Sequence, residues 1–398
     1  MGYWTQTAAA GREVLPDLVR AFALFGIALV NVEFLAWPAV TGYPDAAFGS
    51  GADSAAYFAV SALFLLKSYT LFSFMFGVGF AYQMRSAERR GTGFAGEYWR
   101  RVAGLLILGV AHVALLFQGD ILIIYAILGA VLFVFRKAGP RTLIGWAIAA
   151  YVVQVLVTGA VAVLIWLGAT FAPEVMAEQA AGVMDQAAAR AQQVFGAGTF
   201  AEAVALRLEE WANFIVFGLF IQGFGAFSFF LFGLAAVRHG AIADPDMPIW
   251  RRARRLYLPV GLVGSALGAW VLLAAESALA PQMMFGMLII TVFAPLSSAG
   301  YIGLIAKWAS GPPGPVKAFL ARGGTATLTA YLLQSLLFSL IFNAYGLGLF
   351  GTIGVAGSTA IAFAVALASI VLSSVWRMRF GRGPMEALLR RWTYLGAR

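Results

Sequence analysis

The sequence contains no cysteine, only two histidines and few charged residues. Without cysteine, the chain forms no disulfide and carries no thiolate nucleophile or thiolate metal ligand. His112 and His239 are too few to complete a closed zinc site by themselves. Charged residues make up 11% of the chain, against about 25% in soluble domains, and this excludes an ordinary water-soluble protein.

The sequence also lacks the short motifs that carry common enzyme chemistry. It has no phosphate-binding P-loop, dinucleotide fingerprint, metalloprotease helix or serine-nucleophile elbow. The net charge of +9 does not predict nucleic-acid binding, because the basic residues lie in short connections between apolar runs. No apolar stretch ending in a cleavage site occurs near the N-terminus, so we expect no removable signal peptide.

Long apolar runs make up most of the chain, which is 61% hydrophobic. Because a spanning helix needs about 20 apolar residues, the sequence predicts an all-α polytopic membrane protein with about ten transmembrane helices. The second run is longer than a bilayer requires, and fits either one tilted helix or an interfacial helix up to Lys67 followed by a spanning one. The predicted spans cover about Pro16–Trp37, Ser54–Met84, two runs within Tyr98–Lys137, Arg141–Phe171, Ala212–Val237, Leu256–Ala275, Met283–Trp308, Thr325–Tyr345 and a last run ending near Trp376.

The basic residues predict the orientation of these spans. With the N-terminus in the cytoplasm, the basic connections all fall on the inner side, and only Arg190 and Arg207 fall outside. We therefore expect both termini to be cytoplasmic. Residues 1–398 form one predicted transmembrane domain, with an amphipathic helical periplasmic segment at 173–211 between spans five and six and a basic cytoplasmic tail at 377–398.

Polar side chains within the apolar runs are the candidate functional residues, because a bilayer makes them costly. His112 lies in the first helix of the hairpin Tyr98–Lys137, and Asp120 lies at the start of the second. A histidine titrates near neutral pH, so His112 suits proton transfer and Asp120 is placed to orient it. A hydrogen-bonded core histidine and an interfacial turn carboxylate are the structural alternatives.

Further candidates for substrate binding lie on the first two spans. Arg20 either snorkels to the inner interface or holds an anionic group such as a phosphate. Asn31 and Glu33 lie near the outer end of the first span. Lys67 either snorkels outward or pairs with Glu33 or Asp120.

Uncharged polar and small residues complete the set. Gln334 on the ninth span is a candidate substrate ligand, with an interhelical hydrogen bond as its alternative. Gly77 with Gly79, and Gly104 with Gly109, are spaced as expected where helices pack closely in lipid.

The chain resembles the YeiB family, a group of bacterial inner-membrane proteins of unknown function. The resemblance lies in the stretches PDLVRAFALFGIALVN, KSYTLFSFMFGVGFAYQMR, RRVAGLLILGVAHVALLFQGDILIIYAILG, TATLTAYLLQSLLFSLIF and GPMEALLRRWTYL, and it spans nearly the whole chain. Its most distinctive patterns are LFS-x-x-FG-x-G and G-x-x-H-x(6)-GDIL. The resemblance implies a multi-pass protein of the bacterial inner (cytoplasmic) membrane.

The YeiB family is grouped with transmembrane acyltransferases, including acyltransferase-3 proteins and heparan glucosaminide acetyltransferases. This implies transfer of an acyl group from cytoplasmic acyl-CoA, as a co-substrate and not a permanently bound cofactor, to a periplasmic or lipid-linked acceptor. Asp17 and Arg20 are similar to the L-D-x-x-R-G signature of acyltransferase-3 proteins. Where those proteins carry an essential histidine, this chain has Asn31, which cannot act as a base, so His112 is the remaining intramembrane candidate.

The leading hypothesis is therefore an acyltransferase-like membrane protein. His112 would be the general base, Asp120 would fix its tautomer, and Lys67 or Asn31 would stabilise the developing oxyanion. Arg20 and the basic inner loops would hold the phosphates of the acyl donor. This mechanism requires a passage from the cytoplasm to His112.

Two other functions fit the same sequence. A transporter or lipid-handling protein would use the polar residues as a substrate or proton site, and broken helices would favour it. A non-catalytic scaffold would bind a partner through the segment 173–211. The expected partners are membrane lipids, acyl-CoA and a glycan or lipid acceptor, with no nucleic acid. A homodimer is compatible with the sequence, which does not select an oligomeric state.

Overall fold

The computed structural model describes residues 13–38, 45–179, 182 and 184–395. Outside this range lie the first twelve residues, residues 39–44 between the first two predicted spans, three positions of the predicted segment 173–211, and the last three residues of the predicted tail. The described residues are helical and contain no strand. We number the α-helices as α1 Leu15–Asn31, α2 Glu33–Ala36, α3 Gly51–Leu63, α4 Lys67–Arg90, α5 Phe94–Leu115, α6 Leu122–Leu132, α7 Pro140–Phe171, α8 Pro173–Gln179, α9 Asp185–Ala197, α10 Phe200–Gly218, α11 Phe224–Arg238, α12 Pro248–Arg252, α13 Leu258–Leu273, α14 Pro281–Ser310, α15 Pro315–Gly324, α16 Thr327–Phe342, α17 Val355–Phe380 and α18 Pro384–Thr393.

Eight helical segments in the described residues are long and apolar enough to cross a membrane, which establishes a multi-pass membrane protein. A ninth span is obtained if α15 and α16, which meet at a bend of 79°, count as one broken span. The fourth predicted span is shorter than expected: α6 has 11 residues and the 3₁₀ turn Phe133–Lys137 adds 5. Its length of about 26 Å falls below the roughly 30 Å of a hydrocarbon core. Length and composition thus support eight or nine spans.

The long second run is two helices with a break between them. α3 ends at Leu63 and α4 begins at Lys67, and Leu66 between them has a φ of 63°. This left-handed conformation is unfavourable for a leucine and interrupts the helical hydrogen bonds. The two helices together still form one candidate span of 40 residues, Gly51–Arg90.

Glycines allow α4 and α11 to pack at backbone contact distance. A Cβ atom built on Gly77 would lie 2.0 Å from the carbonyl oxygen of Phe230, and one on Gly233 would lie 2.0 Å from that of Phe74. Gly109 likewise faces Asp120 and Ile123 at contact distance, whereas a Cβ on Gly79 would meet only the end of a flexible arginine. The packing interpretation thus holds for some of the small residues and not for all.

The two ends of the bundle differ in composition. The end that contains the α4–α5 turn, which is flanked by Arg89, Arg90, Arg100 and Arg101, is called the basic end, and the end that contains the α5–α6 turn is called the distal end. At the basic end, α18 lies across the bundle: Glu386 Oε1 accepts hydrogen bonds from the backbone N–H groups of Leu328 and Thr329, at 2.7 and 3.1 Å. Trp392 Nε1 donates to the carbonyl oxygen of Arg100 at 2.8 Å. α18 therefore connects the first turn of α16 to the first turns of α5.

Helices α9 and α10 cover the distal end and are called the distal layer. Thr199 and Glu202 form a capping box that starts α10, and Arg190 on α9 pairs with both carboxylate oxygens of Glu209 at 2.6 Å. The layer is joined to the bundle by a backbone hydrogen bond from Ala344 to Phe195 at 2.8 Å. It is an integral part of the packed structure.

The distal layer contains a carboxyl group with a raised pKa. Burial raises the pKa of Glu210 to about 7, and Arg190, Glu209 and Arg207 are the charged groups that interact with it. Between these two pKa values the folded state holds a proton that the unfolded state releases. The folded protein is therefore most stable, relative to the unfolded chain, below the unfolded pKa near 4.5, and it loses this stability as the pH rises through about 7. The total effect is on the order of 3 kcal/mol.

We expect Glu210→Gln to make the thermal unfolding midpoint less dependent on pH between about 4.5 and 7. The amide stays neutral across this range, so the variant gains stability relative to the wild type as the pH rises. Glu178→Gln, at an exposed position on α8, is the matched control and should leave the wild-type profile unchanged. Parallel profiles for Glu210→Gln and the wild type would contradict the prediction.

Candidate functional site

A hydrogen-bonded histidine–carboxylate pair is buried near the distal end. His112 lies in the last turn of α5, and Asp120 lies in the turn that leads to α6. His112 Nδ1 and Asp120 Oδ1 are 2.7 Å apart, and both side chains are 0% exposed. The other carboxylate oxygen, Asp120 Oδ2, accepts the backbone N–H of Ile123 at 2.8 Å, in the first turn of α6.

The local sequence explains how the pair forms. Gly109 precedes His112 by three residues and therefore lies on the same face of α5. A Cβ atom at this position would lie 2.9 Å from Asp120 Oδ2 and 2.5 Å from Ile123 Cγ1. Glycine at position 109 thus lets α6 and the carboxylate approach close enough to bind the imidazole.

The hydrogen bond with Asp120 orients the His112 ring. A carboxylate accepts hydrogen bonds, so His112 Nδ1 carries a proton in this contact. Nε2 is fully buried and has no hydrogen-bond partner among the described residues. The pair therefore leaves the second ring nitrogen of His112, Nε2, available to a ligand or a reacting hydroxyl group.

Tyr331 is a member of this site that the sequence interpretation did not select. Its ring lies 5.0 Å from the His112 ring, centroid to centroid, and its buried hydroxyl lies beside the backbone of Ile121 and has no side-chain partner among the described residues. Phe117 contacts the imidazole edge-on at 6.2 Å. In the sequence, Tyr331 could have been selected from its position one helical turn before Gln334.

The amide nitrogen of Gln334 has two hydrogen-bond partners within the bundle. Its Nε2 donates to the carbonyl oxygen of Leu24 at 3.2 Å and to Ser369 Oγ at 2.9 Å. These contacts connect α16 to α1 and α17. The geometry corresponds to the structural alternative, an interhelical hydrogen bond.

Lys67 forms no ion pair with either carboxylate that the sequence suggested. It is 1% exposed, and its ammonium group donates to the carbonyl oxygen of Ser61 at 3.1 Å, across the break between α3 and α4. Asp120 is bonded to His112 instead, and Glu33 lies in α2 near Tyr57. Asn31 is the last, half-buried residue of α1. Lys67 thus stabilises the helix break, and the structure does not bring it to the histidine.

Arg20 lies at the basic end, away from His112. Its guanidinium pairs with Asp17 at 3.1 Å and is close enough to Arg101 for the two charges to interact. The Nε of Arg101 is buried and has no hydrogen-bond partner among the described residues. Eleven residues separate Arg101 from His112 along α5, which corresponds to about 16 Å. The bundle therefore contains two separate polar regions.

An apolar core lies between these two regions. Val102 and Leu105 are buried on α5 between Arg101 and His112. An apolar groove of about 380 Å³ also opens elsewhere, between α3 and α13, and its lining includes Phe58 and Leu262. None of the histidine-site residues lines that groove. No cluster of three or more metal-ligating residues occurs in the described part of the chain.

Comparisons with known proteins identify the family to which this chain belongs. A model described as a protein of unknown function, DUF418, matches residues 236–396. The uncharacterized protein YxaH of Bacillus subtilis (strain 168) is 30% identical over 400 residues, which cover 95% of this chain and 93% of the relative. The chain belongs to the DUF418 family. The family model includes Tyr331 and Gln334, and the His112–Asp120 pair lies N-terminal to the part that it matches.

Two further relatives extend this result. The uncharacterized protein YeiB of Escherichia coli (strain K12) is 26% identical over 405 residues, covering 97% of each chain, which confirms the resemblance predicted from the sequence. An uncharacterized 39.9 kDa protein in the amylase 3′ region of Bacillus acidopullulyticus is 39% identical over 125 residues, covering 30% of this chain and 33% of the relative. No solved structure matches the chain significantly. This DUF418 protein is thus a multi-pass membrane protein with bacterial homologues.

Proposed function

We propose that this DUF418 protein is a membrane acyltransferase in which His112 is the general base. The observation that supports the proposal is the buried imidazole, oriented by Asp120 through Nδ1 and unpartnered at Nε2. A buried histidine–carboxylate pair within an apolar bundle is costly, and such groups usually carry function. The reaction class is taken from the resemblance of Asp17 and Arg20 to the acyltransferase-3 signature.

In the proposed reaction, His112 Nε2 removes the proton from an acceptor hydroxyl group as its oxygen attacks the thioester carbonyl of acyl-CoA. The carbon–sulfur bond then breaks, an ester forms, and the departing thiolate receives the proton from the imidazolium. Asp120 stabilises the imidazolium that exists between these two proton transfers. The Tyr331 hydroxyl, and not Lys67 or Asn31, is the donor that the geometry offers to the developing oxyanion.

The orientation of the protein forms part of the proposal. The basic end faces the cytoplasm, because Lys and Arg concentrate on the cytoplasmic side of membrane proteins. The short α6 helix with its 3₁₀ turn then crosses a locally thinned bilayer, which gives ten spans and two cytoplasmic termini in a bacterial inner membrane. Arg20 and Arg101 are placed to bind the phosphates of acyl-CoA as co-substrate, and the glycan or lipid-linked acceptor reaches His112 from the distal side. The mechanism requires a passage to His112, and the packed core around Val102 and Leu105 counts against it, because the thioester reaches the base only where that core opens.

Calorimetry on the purified protein with acetyl-CoA and longer acyl-CoAs tests the donor site. We expect Arg20→Gln and Arg101→Gln each to weaken binding about 10-fold or more, because each removes a charge-assisted hydrogen bond to phosphate. His112→Ala should bind acyl-CoA like the wild type. Arg89→Gln, an exposed arginine near the end of α4, is the matched control for loss of one positive charge and should also bind normally.

A transporter or lipid-handling function is the second candidate, and the broken helices favour it. Transporters of several folds place discontinuous helices at their substrate sites, and this chain has the break at Leu66 and the 79° bend between α15 and α16. An absence of acyl-CoA binding in the calorimetry, with transport of a substrate and no product formed, would select this function and reject acyl transfer.

A further inference from the structure

Arg207 is buried in a position that its sequence does not predict. It belongs to the amphipathic segment 173–211, where an arginine is expected to face water. Its side chain is 1% exposed and is the largest of the fully buried side chains in the described part of the chain. It extends from α10 beneath the distal layer towards the end of α5.

The guanidinium contacts the helix that carries His112. Arg207 NH1 donates to the carbonyl oxygen of Leu115 at 3.1 Å. Leu115 is the last residue of α5 and follows His112 by three positions, so both lie in the same helical turn. The last carbonyl groups of a helix have no partner within it, and a cation at this end is stabilised by the helix dipole.

The same guanidinium contacts the end of the helix that carries Tyr331. Arg207 NH2 donates to the Tyr345 hydroxyl at 2.9 Å, and that hydroxyl hydrogen-bonds with Ser339 Oγ on α16. The rings of Phe195 and Tyr345 lie 5.4 and 5.9 Å from the guanidinium carbon. One side chain of the distal layer thus holds the ends of both helices that form the candidate site.

The charge of Arg207 is costly where it lies. Burying a cation without a paired carboxylate is unfavourable unless hydrogen bonds compensate, and in the described residues Arg207 forms no salt bridge. Glu210, one turn along α10, is close enough to interact with its charge. A neutral side chain could fill the space at a lower desolvation cost. This indicates that the hydrogen bonds donated by the Arg207 guanidinium have a specific role.

We propose that Arg207 is a positioning residue for the His112–Asp120 pair. Its hydrogen bond to the Leu115 carbonyl group fixes the last turn of α5 and the turn 116–121. His112 Nδ1 is thereby kept within hydrogen-bond distance of Asp120. The proposal makes the geometry of the pair depend on the distal layer. It rests on the proposed role of the pair as a base, but its test does not require catalysis.

The test uses the scarcity of histidine in this chain. In a His239→Gln background His112 is the only histidine, so ¹⁵N-histidine labelling and NMR in lipid bilayers report its tautomer alone. The parent protein is expected to show a single imidazole species with a proton on Nδ1, hydrogen-bonded to Asp120. Arg207→Met should lose this single-tautomer pattern, and Arg207→Lys should largely keep it, because an ammonium group also donates to the Leu115 carbonyl.

The matched control is Arg190→Met, which removes an exposed arginine of the same layer and should leave the pattern unchanged. A wild-type tautomer pattern in Arg207→Met would overturn the proposal. If Arg207→Met yields no folded protein, Arg207→Gln, which removes the guanidinium and keeps a polar side chain, decides by the same spectrum, and an unchanged tautomer pattern would overturn the proposal. A tautomer that depends on Arg207 in a protein without acyl transfer would retain the positioning role and reject the proposed reaction.

Discussion

His112→Ala is expected to lower the rate of acyl transfer by at least about 100-fold, because a positioned general base contributes roughly 10²- to 10⁴-fold. No other histidine lies near the distal end to replace it: His239 follows the last residue of α11 at the basic end. The rate can be measured in proteoliposomes from the free thiol of released CoA. The chain has no cysteine, so thiol reagents give no background from the protein.

His239→Ala is the matched control for this prediction and should retain the wild-type rate. Acyl-CoA binding should be unchanged in His112→Ala, since the donor phosphates are assigned to the basic end about 16 Å away. A full rate in His112→Ala would eliminate the imidazole as the base. Equal losses in both histidine variants would indicate damage to the fold instead of the site.

Gly233→Val is expected to prevent α4 and α11 from packing and to destabilise the protein by about 3 kcal/mol or more. The added side chain would meet the backbone at Phe74, where even a Cβ atom would be only 2.0 Å from the carbonyl oxygen. A backbone carbonyl cannot move aside as a flexible side chain does. The two helices would have to separate, and the core around Phe230 would open.

The measurement is the thermal midpoint and monodispersity of the purified protein in detergent. Gly145→Val is the control, because Gly145 also lies within a long apolar helix and a Cβ atom there would contact nothing within 4 Å. It should preserve the wild-type midpoint. A stable, monodisperse Gly233→Val protein would contradict the helix contact described above.

Much of the secondary structure follows from apolar run length, because a lipid-embedded backbone must satisfy its hydrogen bonds within a helix. Eight predicted spans correspond to helices long enough to cross a membrane. The fourth span was overestimated, since its apolar run includes a 3₁₀ turn and its helix stops at Leu132. Run length counts apolar residues, and it does not detect where a helix changes its hydrogen-bond pattern.

The candidate site was predictable where its members are close in the sequence. His112 and Asp120 are eight residues apart across one tight turn, so a hairpin brings them together. Tyr331 contacts the same imidazole from a helix more than 200 positions away, and Lys67 bonds the Ser61 carbonyl instead of a carboxylate. Such contacts depend on how the helices pack, which local spacing does not encode.

The sequence by itself determined the membrane class, the helical hairpin and the pairing of a histidine with a nearby carboxylate. These depend on hydrophobicity and on short-range geometry, which a single chain segment contains. Only the tertiary structure decided that Arg207 is buried against Leu115, that α18 connects α5 to α16, and that an apolar core separates Arg20 from His112. The physical reason is that each of these contacts joins segments far apart in sequence, and their energy arises when the helices pack.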